Sequence, residues 1–211
     1  MFIHITIILI SFLSLLATYI LYPDLPDEIA FHWNLAGEVD RFEKKWFVFI
    51  TALLPLVLYG FMLILPKIDP RKDSYEKHKK TFKIVIVSIL LFLFAIHWFT
   101  MAFALGYEVD IPFLIKICLA ILFIILGVYM PKIEHNYTFG IRTPWTLANE
   151  ECWKKTHKFG GYAFIITGVL LAILVPFKHA IVFPVVIGSI ILLIITVIVY
   201  SYIAFKRINL T

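Results

Sequence analysis

Long uninterrupted apolar runs separated by short polar stretches set the pattern of this chain. Six of them, at residues 2–22, 46–66, 84–107, 111–130, 159–177 and 180–205, meet or nearly meet the roughly 20 residues needed to cross about 30 Å of hydrocarbon. Of all the Asp, Glu, Lys and Arg residues, only Lys116 falls inside a run. The pattern predicts an all-α polytopic membrane protein, a bundle of six transmembrane helices with an extracellular loop domain and a cytoplasmic interfacial helix. The first run has no basic segment before it, is too long for a signal-peptide core and is not followed by a small-residue cleavage site, so it reads as a retained span.

Composition agrees with this reading. Apolar residues make up 62% of the 211 positions and charged residues 16%, against about 45–50% and 25% in soluble domains. The mean hydropathy of +0.94 excludes soluble enzymes, coiled coils, disulfide scaffolds and disordered regulators. The net charge of +5 is mostly topological. Cytoplasmic loops carry the excess of Lys and Arg, and fourteen of the nineteen lie after spans two, four and six, against four after spans one, three and five. Both termini are therefore expected in the cytoplasm. No basic stripe with interleaved aromatics points to nucleic acid. Cys118 lies in a span and Cys152 in a loop, which gives no disulfide.

The chain divides into residues 1–66, two spans with an outer loop at 23–45; residues 67–130, a basic cytoplasmic loop with spans three and four; residues 131–159, a cytoplasmic loop with its interfacial helix; and residues 160–211, spans five and six. The outer loop has a formal charge of −3, which attracts a cationic ligand within about 8 Å. In it Glu28 and His32, four apart, would share a face on a helical turn, with Asp40 returning after a turn at Asn34 and Gly37. Such a set could ligate a metal, although the spacing is weakly specific. The simpler expectation is a hydrogen bond between His32 and Asp40 that shapes the loop.

The inner loop carries Thr143-Pro144, a cap and first-turn pair that starts a helix, with Glu150 and Glu151 early and Lys154, Lys155 and Lys158 late. Asn149, Trp153 and His157 fall on one face of that helix and, with Trp145, suit a membrane interface. Gly160-Gly161 then offers a break before span five. Arg142, held between Ile141 and Thr143-Pro144, is a fixed charge suited to a carboxylate or phosphate on a docking partner. Within the membrane, His97 in span three is a functional candidate by default, and Lys116 should snorkel toward Glu108 or Asp110.

At these two loops the sequence resembles the SdpI family of bacterial membrane proteins. The outer stretch with His32, Asn34, Gly37 and Asp40 is similar to a small domain of unknown function at that family's N-terminus. Asn136 followed by Gly140-Ile-Arg-Thr-Pro-Trp-Thr-Leu147, and then Glu151, Trp153, Thr156 and His157, resembles its signature. The resemblance implies a non-enzymatic immunity protein and signal-transducing receptor without a cofactor. The outer motif would meet a secreted toxin peptide, and Asn136, Gly140, Arg142, Thr143, Pro144, Trp145, Thr146, Trp153 and His157 would dock a cytoplasmic transcriptional repressor. The alternatives are a metal-dependent membrane hydrolase using Glu28, His32 and Asp40, and a small transporter using His97. Oligomeric state is not legible.

Overall fold

The computed structural model describes residues 2–34, 38–177 and 181–210. Six helices are long and apolar enough to cross a membrane: α1 (Phe2–Leu21), α2 (Phe47–Ile68), α4 (Lys79–Ala104), α5 (Ile111–Tyr129), α7 (Glu150–Leu174) and α8 (Val182–Ile208). Two short α-helices, α3 (Ser74–Lys77) and α6 (Pro144–Ala148), two single-turn 3-10 helices at Tyr22–Asp24 and Met130–Lys132, and one hairpin, β1 (Glu28–Trp33) with β2 (Val39–Lys44), complete the elements of the described residues. The hairpin lies between α1 and α2, and the α5–α7 connection lies at the opposite end of the bundle.

Helix α7 departs from the sequence reading. It starts at Glu150 rather than near residue 159, and it runs unbroken through Gly160-Gly161. Those glycines make close packing instead of a break. A Cβ on Gly161 would lie 2.8 Å from the carbonyl oxygen of Gly127 on α5, and one on Gly127 would lie 2.6 Å from that of Gly161. One turn pair further along, Gly168 meets the Ala120 carbonyl in the same way. Apolar burial does not drive helices together in lipid, so backbone approach of this kind carries the association. The interfacial helix expected at residues 143–159 is accordingly split: α6 ends after five residues, and the rest is the start of α7.

Polar side chains knit the first three spans. The His97 ring on α4 bridges Thr18 on α1 through Nε2 (3.0 Å) and Thr51 on α2 through Nδ1 (2.9 Å). A neutral imidazole has one donor and one acceptor nitrogen, so one threonine receives its N–H while the other gives it an O–H. Trp98 Nε1 donates to Ser14 Oγ at 3.0 Å beside it. His97→Leu removes both bridges, and both hydroxyls can still use carbonyls of their own helices. The expected loss is about 1 kcal/mol in a steric-trap or mild-detergent unfolding titration. A loss above about 3 kcal/mol would mean that the ring does more than bridge.

Candidate functional site

The hairpin face of the bundle is built on two register irregularities. Glu28 pairs with Lys44, Ile29 with Glu43 and Ala30 with Phe42, after which the ladder slips so that His32 faces Arg41 and Trp33 faces Val39. Asp40 is left without a register partner, and its Oδ1 stands 2.6 Å from His32 Nδ1. Bulges of this kind re-aim side chains. The Glu28, His32 and Asp40 set expected on a helical turn is corrected here. The segment is a strand, rising about 3.3 Å per residue, and Glu28 lies at the end remote from the His32–Asp40 pair. Among the described residues no group of three His, Cys, Asp or Glu side chains gathers in metal-binding geometry.

Asn34 closes the hairpin tip. Its amide N–H donates to the Glu38 carbonyl at 2.8 Å, and its side-chain oxygen accepts from Glu38 N at 3.1 Å. Gly37 lies outside the described residues. Ile29 and Leu25 seat the hairpin on Val48 of α2 and Met101 of α4, while Trp33 packs edge-on against Phe103, ring centroids 5.8 Å apart.

Beneath the hairpin opens a cavity of about 740 Å³ bounded by α2, α4, α5 and α8. Its wall is largely apolar, with His32, Asn34, Glu38 and Thr51 among the polar groups that reach it. Lys116 also lines it. Its Nζ donates to the carbonyls of Val175 (2.9 Å) and Phe177 (2.8 Å). The C-terminal end of α7 presents carbonyls without intrahelical partners and a negative dipole end, which hold the ammonium.

At the opposite end, the α5–α7 connection is a tied knot. Asn136, fully buried, accepts from Thr138 N (3.0 Å) and Phe139 N (2.7 Å) through Oδ1 and donates to the Glu134 carbonyl. Thr143 caps α6 in a reciprocal box with Thr146, and Asn149 caps α7 by accepting from Cys152 N at 2.8 Å. Trp153 and His157 are 0% and 1% exposed, so the stripe expected at the membrane interface points into the protein. Trp153 Nε1 donates to the Ile133 carbonyl at 2.8 Å. His157 Nε2 accepts from Ile141 N at 3.0 Å, which places its proton on Nδ1, 2.9 Å from the Trp153 carbonyl. Gly140 crosses over that ring with φ of 111°, where a Cβ would lie 2.5 Å from His157 Nε2. Arg142 is exposed, its Nη1 donating to the Tyr137 carbonyl, and Trp145 packs on Tyr202 of α8.

The sequence reading missed the other half of this knot. Asp69, at the end of α2 and 3% exposed, accepts from Tyr137 N (2.9 Å), Thr138 N (3.0 Å) and Thr138 Oγ1 (2.8 Å) through Oδ2 and from Arg71 N (2.7 Å) through Oδ1. Arg71 donates to His135, Ser74 to the His135 carbonyl, and Tyr75 meets Thr138. Burial holds the His135 imidazole below the ordinary histidine range, and the Arg71 guanidinium pushes it the same way; burial likewise lowers His78. In the sequence, residues 67–83 stand out only for their basic charge. The lone acid between Ile68 and Pro70 at a span end was the available signal.

Six membrane-length helices, a hairpin roofing an apolar cavity on one face and a tied loop on the other define a multi-pass membrane protein with two distinct extramembrane faces. Residues 132–201 match the SdpI/YfhL protein family, and residues 9–62 match a domain of unknown function, DUF1648. Over 203 residues the chain is 30% identical to the Immunity protein SdpI of Bacillus subtilis (strain 168), spanning 96% of this chain and 95% of that protein. The chain belongs to the SdpI family. No solved structure matches it.

Proposed function

We propose that this chain is a non-enzymatic immunity protein of the bacterial cell membrane. It takes up part of a secreted membrane-active peptide at the hairpin face and relays that occupancy to a cytoplasmic repressor. The observation that carries the reading is the 740 Å³ cavity under the hairpin. It lies within the range typical of ligand pockets and combines an apolar wall with a few convergent polar groups. The excess of Lys and Arg on the other loops supports a hairpin that faces the outside of the cell, and its acidic loop suits a cationic peptide. The relative named as an immunity protein, aligned over nearly the whole of both chains, supports the same role.

In this reading His32, Asn34, Gly37 and Asp40 form the ligand motif. Arg142, Pro144 and Trp145 are the signature residues that a repressor can touch, while the buried Asn136, Thr146, Trp153 and His157 hold them in place. Coupling requires that peptide binding change what the other face displays. The cavity touches Thr51, Thr51 bonds His97, and α4 runs from there to the knotted face. The test is survival of a peptide-sensitive bacterium expressing the wild type, His32→Ala or Arg142→Ala at matched membrane abundance. Protection by the wild type, its loss with His32→Ala and its retention with Arg142→Ala are expected. Absence of protection by the wild type would refute the immunity role, and equal loss in both variants would refute the division of labour between the faces.

A further inference from the structure

A second cavity, of about 180 Å³, opens at the knotted end between the start of α1, the end of α2 and the start of α4. Its lining changes character along α4. Lys79, Lys83 and Val87 are spaced i, i+4 and i+8, so they form one stripe that begins with two charges and continues as hydrocarbon with Ile86 beside it. Ile7 of α1 and Leu63 of α2 complete the apolar part, and His4 bonded to Tyr59 closes a wall.

The charges leave one cation in excess. Lys79 Nζ is 3.1 Å from Glu76 Oε2, which also lines the cavity, so these two offset each other. Lys83 is half-buried, and no hydrogen bond or ion pair joins it to the described residues. A cation partly removed from water at the level where a membrane's headgroups begin calls for an anion. The hydrocarbon groove directly below it calls for an acyl chain attached to that anion.

We propose that this cavity binds one monoanionic glycerophospholipid of the adjoining leaflet, its phosphate on Lys83 and the first part of one acyl chain along Val87, Ile7 and Leu63. The cavity holds the phosphate and glycerol region, and the chains continue over the lipid-facing sides of α1 and α4. One bound lipid would thereby fasten the start of α1 to the start of α4 beside α3.

The test is native mass spectrometry of the full chain in a zwitterionic detergent, titrated separately with phosphatidylglycerol and phosphatidylcholine. Inorganic phosphate and glycerol 3-phosphate serve as competitors. One phosphatidylglycerol should bind in preference to phosphatidylcholine. Lys83→Gln should weaken it about five-fold, the worth of one lysine near an anionic surface, and Lys72→Gln, exposed and outside the cavity, should leave it unchanged. Val87→Trp, which fills the groove and keeps both lysines, should also displace the lipid. Equal binding of the two lipids, equal effects of Lys83→Gln and Lys72→Gln, or indifference to Val87→Trp would overturn the proposal. Displacement by phosphate or glycerol 3-phosphate at concentrations matching the lipid would make this a free-anion site and overturn it as well.

Discussion

Gly161→Val should cost this protein about 3 kcal/mol of stability, the upper end of what overpacking a well-packed contact costs. The group in the way is backbone. The added Cβ meets the Gly127 carbonyl oxygen at 2.8 Å and the Pro131 ring at 3.0 Å, and neither can rotate aside as a long side chain would. Relief requires α5 and α7 to separate, which sacrifices the dispersion contacts that hold helices together in lipid. Gly60→Ala is the matched control. It is also helical, but an added Cβ there meets nothing within 4 Å, so the substitution should gain roughly 0.5–1 kcal/mol from helix propensity. Both are read from unfolding midpoints and from the fraction of folded protein extracted from membranes. A wild-type midpoint for Gly161→Val would show that the two helices are not pressed together at this level.

The second large effect is expected at Asp69. Asp69→Ala takes the acceptor from the backbone N–H groups of Arg71 and Tyr137, and takes one of two partners from the N–H and the hydroxyl of Thr138, which keep Asn136 and Tyr75. Each buried donor left without a partner costs about 1–3 kcal/mol, and solvent reaching this end of the bundle recovers part of it, so the net loss should be about 3 kcal/mol. Because the carboxylate fastens the end of α2 to residues 137–138, the α5–α7 connection should also become open to proteolysis while the spans stay folded. A connection as resistant as that of the wild type would refute the tie.

The same carboxylate makes stability depend on pH. Burial by itself would raise its pKa, but the hydrogen bonds from Arg71, Thr138 and Tyr137 together outweigh burial and set it below the ordinary carboxylate value. A group with a lowered folded-state pKa stabilises fully above the unfolded value, about 3.9 for Asp, and that contribution is lost as pH falls through the folded value. The wild type should therefore lose stability on acidification below about pH 4. Asp69→Asn, which cannot titrate, should start less stable and show a smaller acid-dependent drop. Equal drops in the two proteins would assign the pH dependence to other carboxylates.

The membrane class and the number of spans were legible in the sequence, because a transmembrane helix satisfies its own backbone and announces itself by composition alone. So was the start of α6, since the Thr143-Pro144 cap and first turn are local chemistry. The meeting of His32 with Asp40 could also be anticipated, but not its cause. The helical reading of Glu28 and His32 failed because a four-residue spacing fits a strand as well as a turn, and the pairing with residues 39–44 decided between them.

Tertiary structure alone settled the rest. Gly160-Gly161 has the local chemistry of a break, and only the approach of α5 to Gly161 and of Ile141 to Gly160 turns it into a contact surface along a continuous helix. The stripe of Trp153 and His157 has the periodicity of an interfacial face, which is equally the periodicity of a buried one. Closure of the loop by Gly140 and Ile141 over the His157 ring determined which it was. Asp69 and the 138 region are nearly 70 residues apart in sequence, so no window along the chain could pair them. Periodicity and capping are written locally and survive without a fold, whereas a partner for a buried polar group is chosen by whichever element arrives beside it.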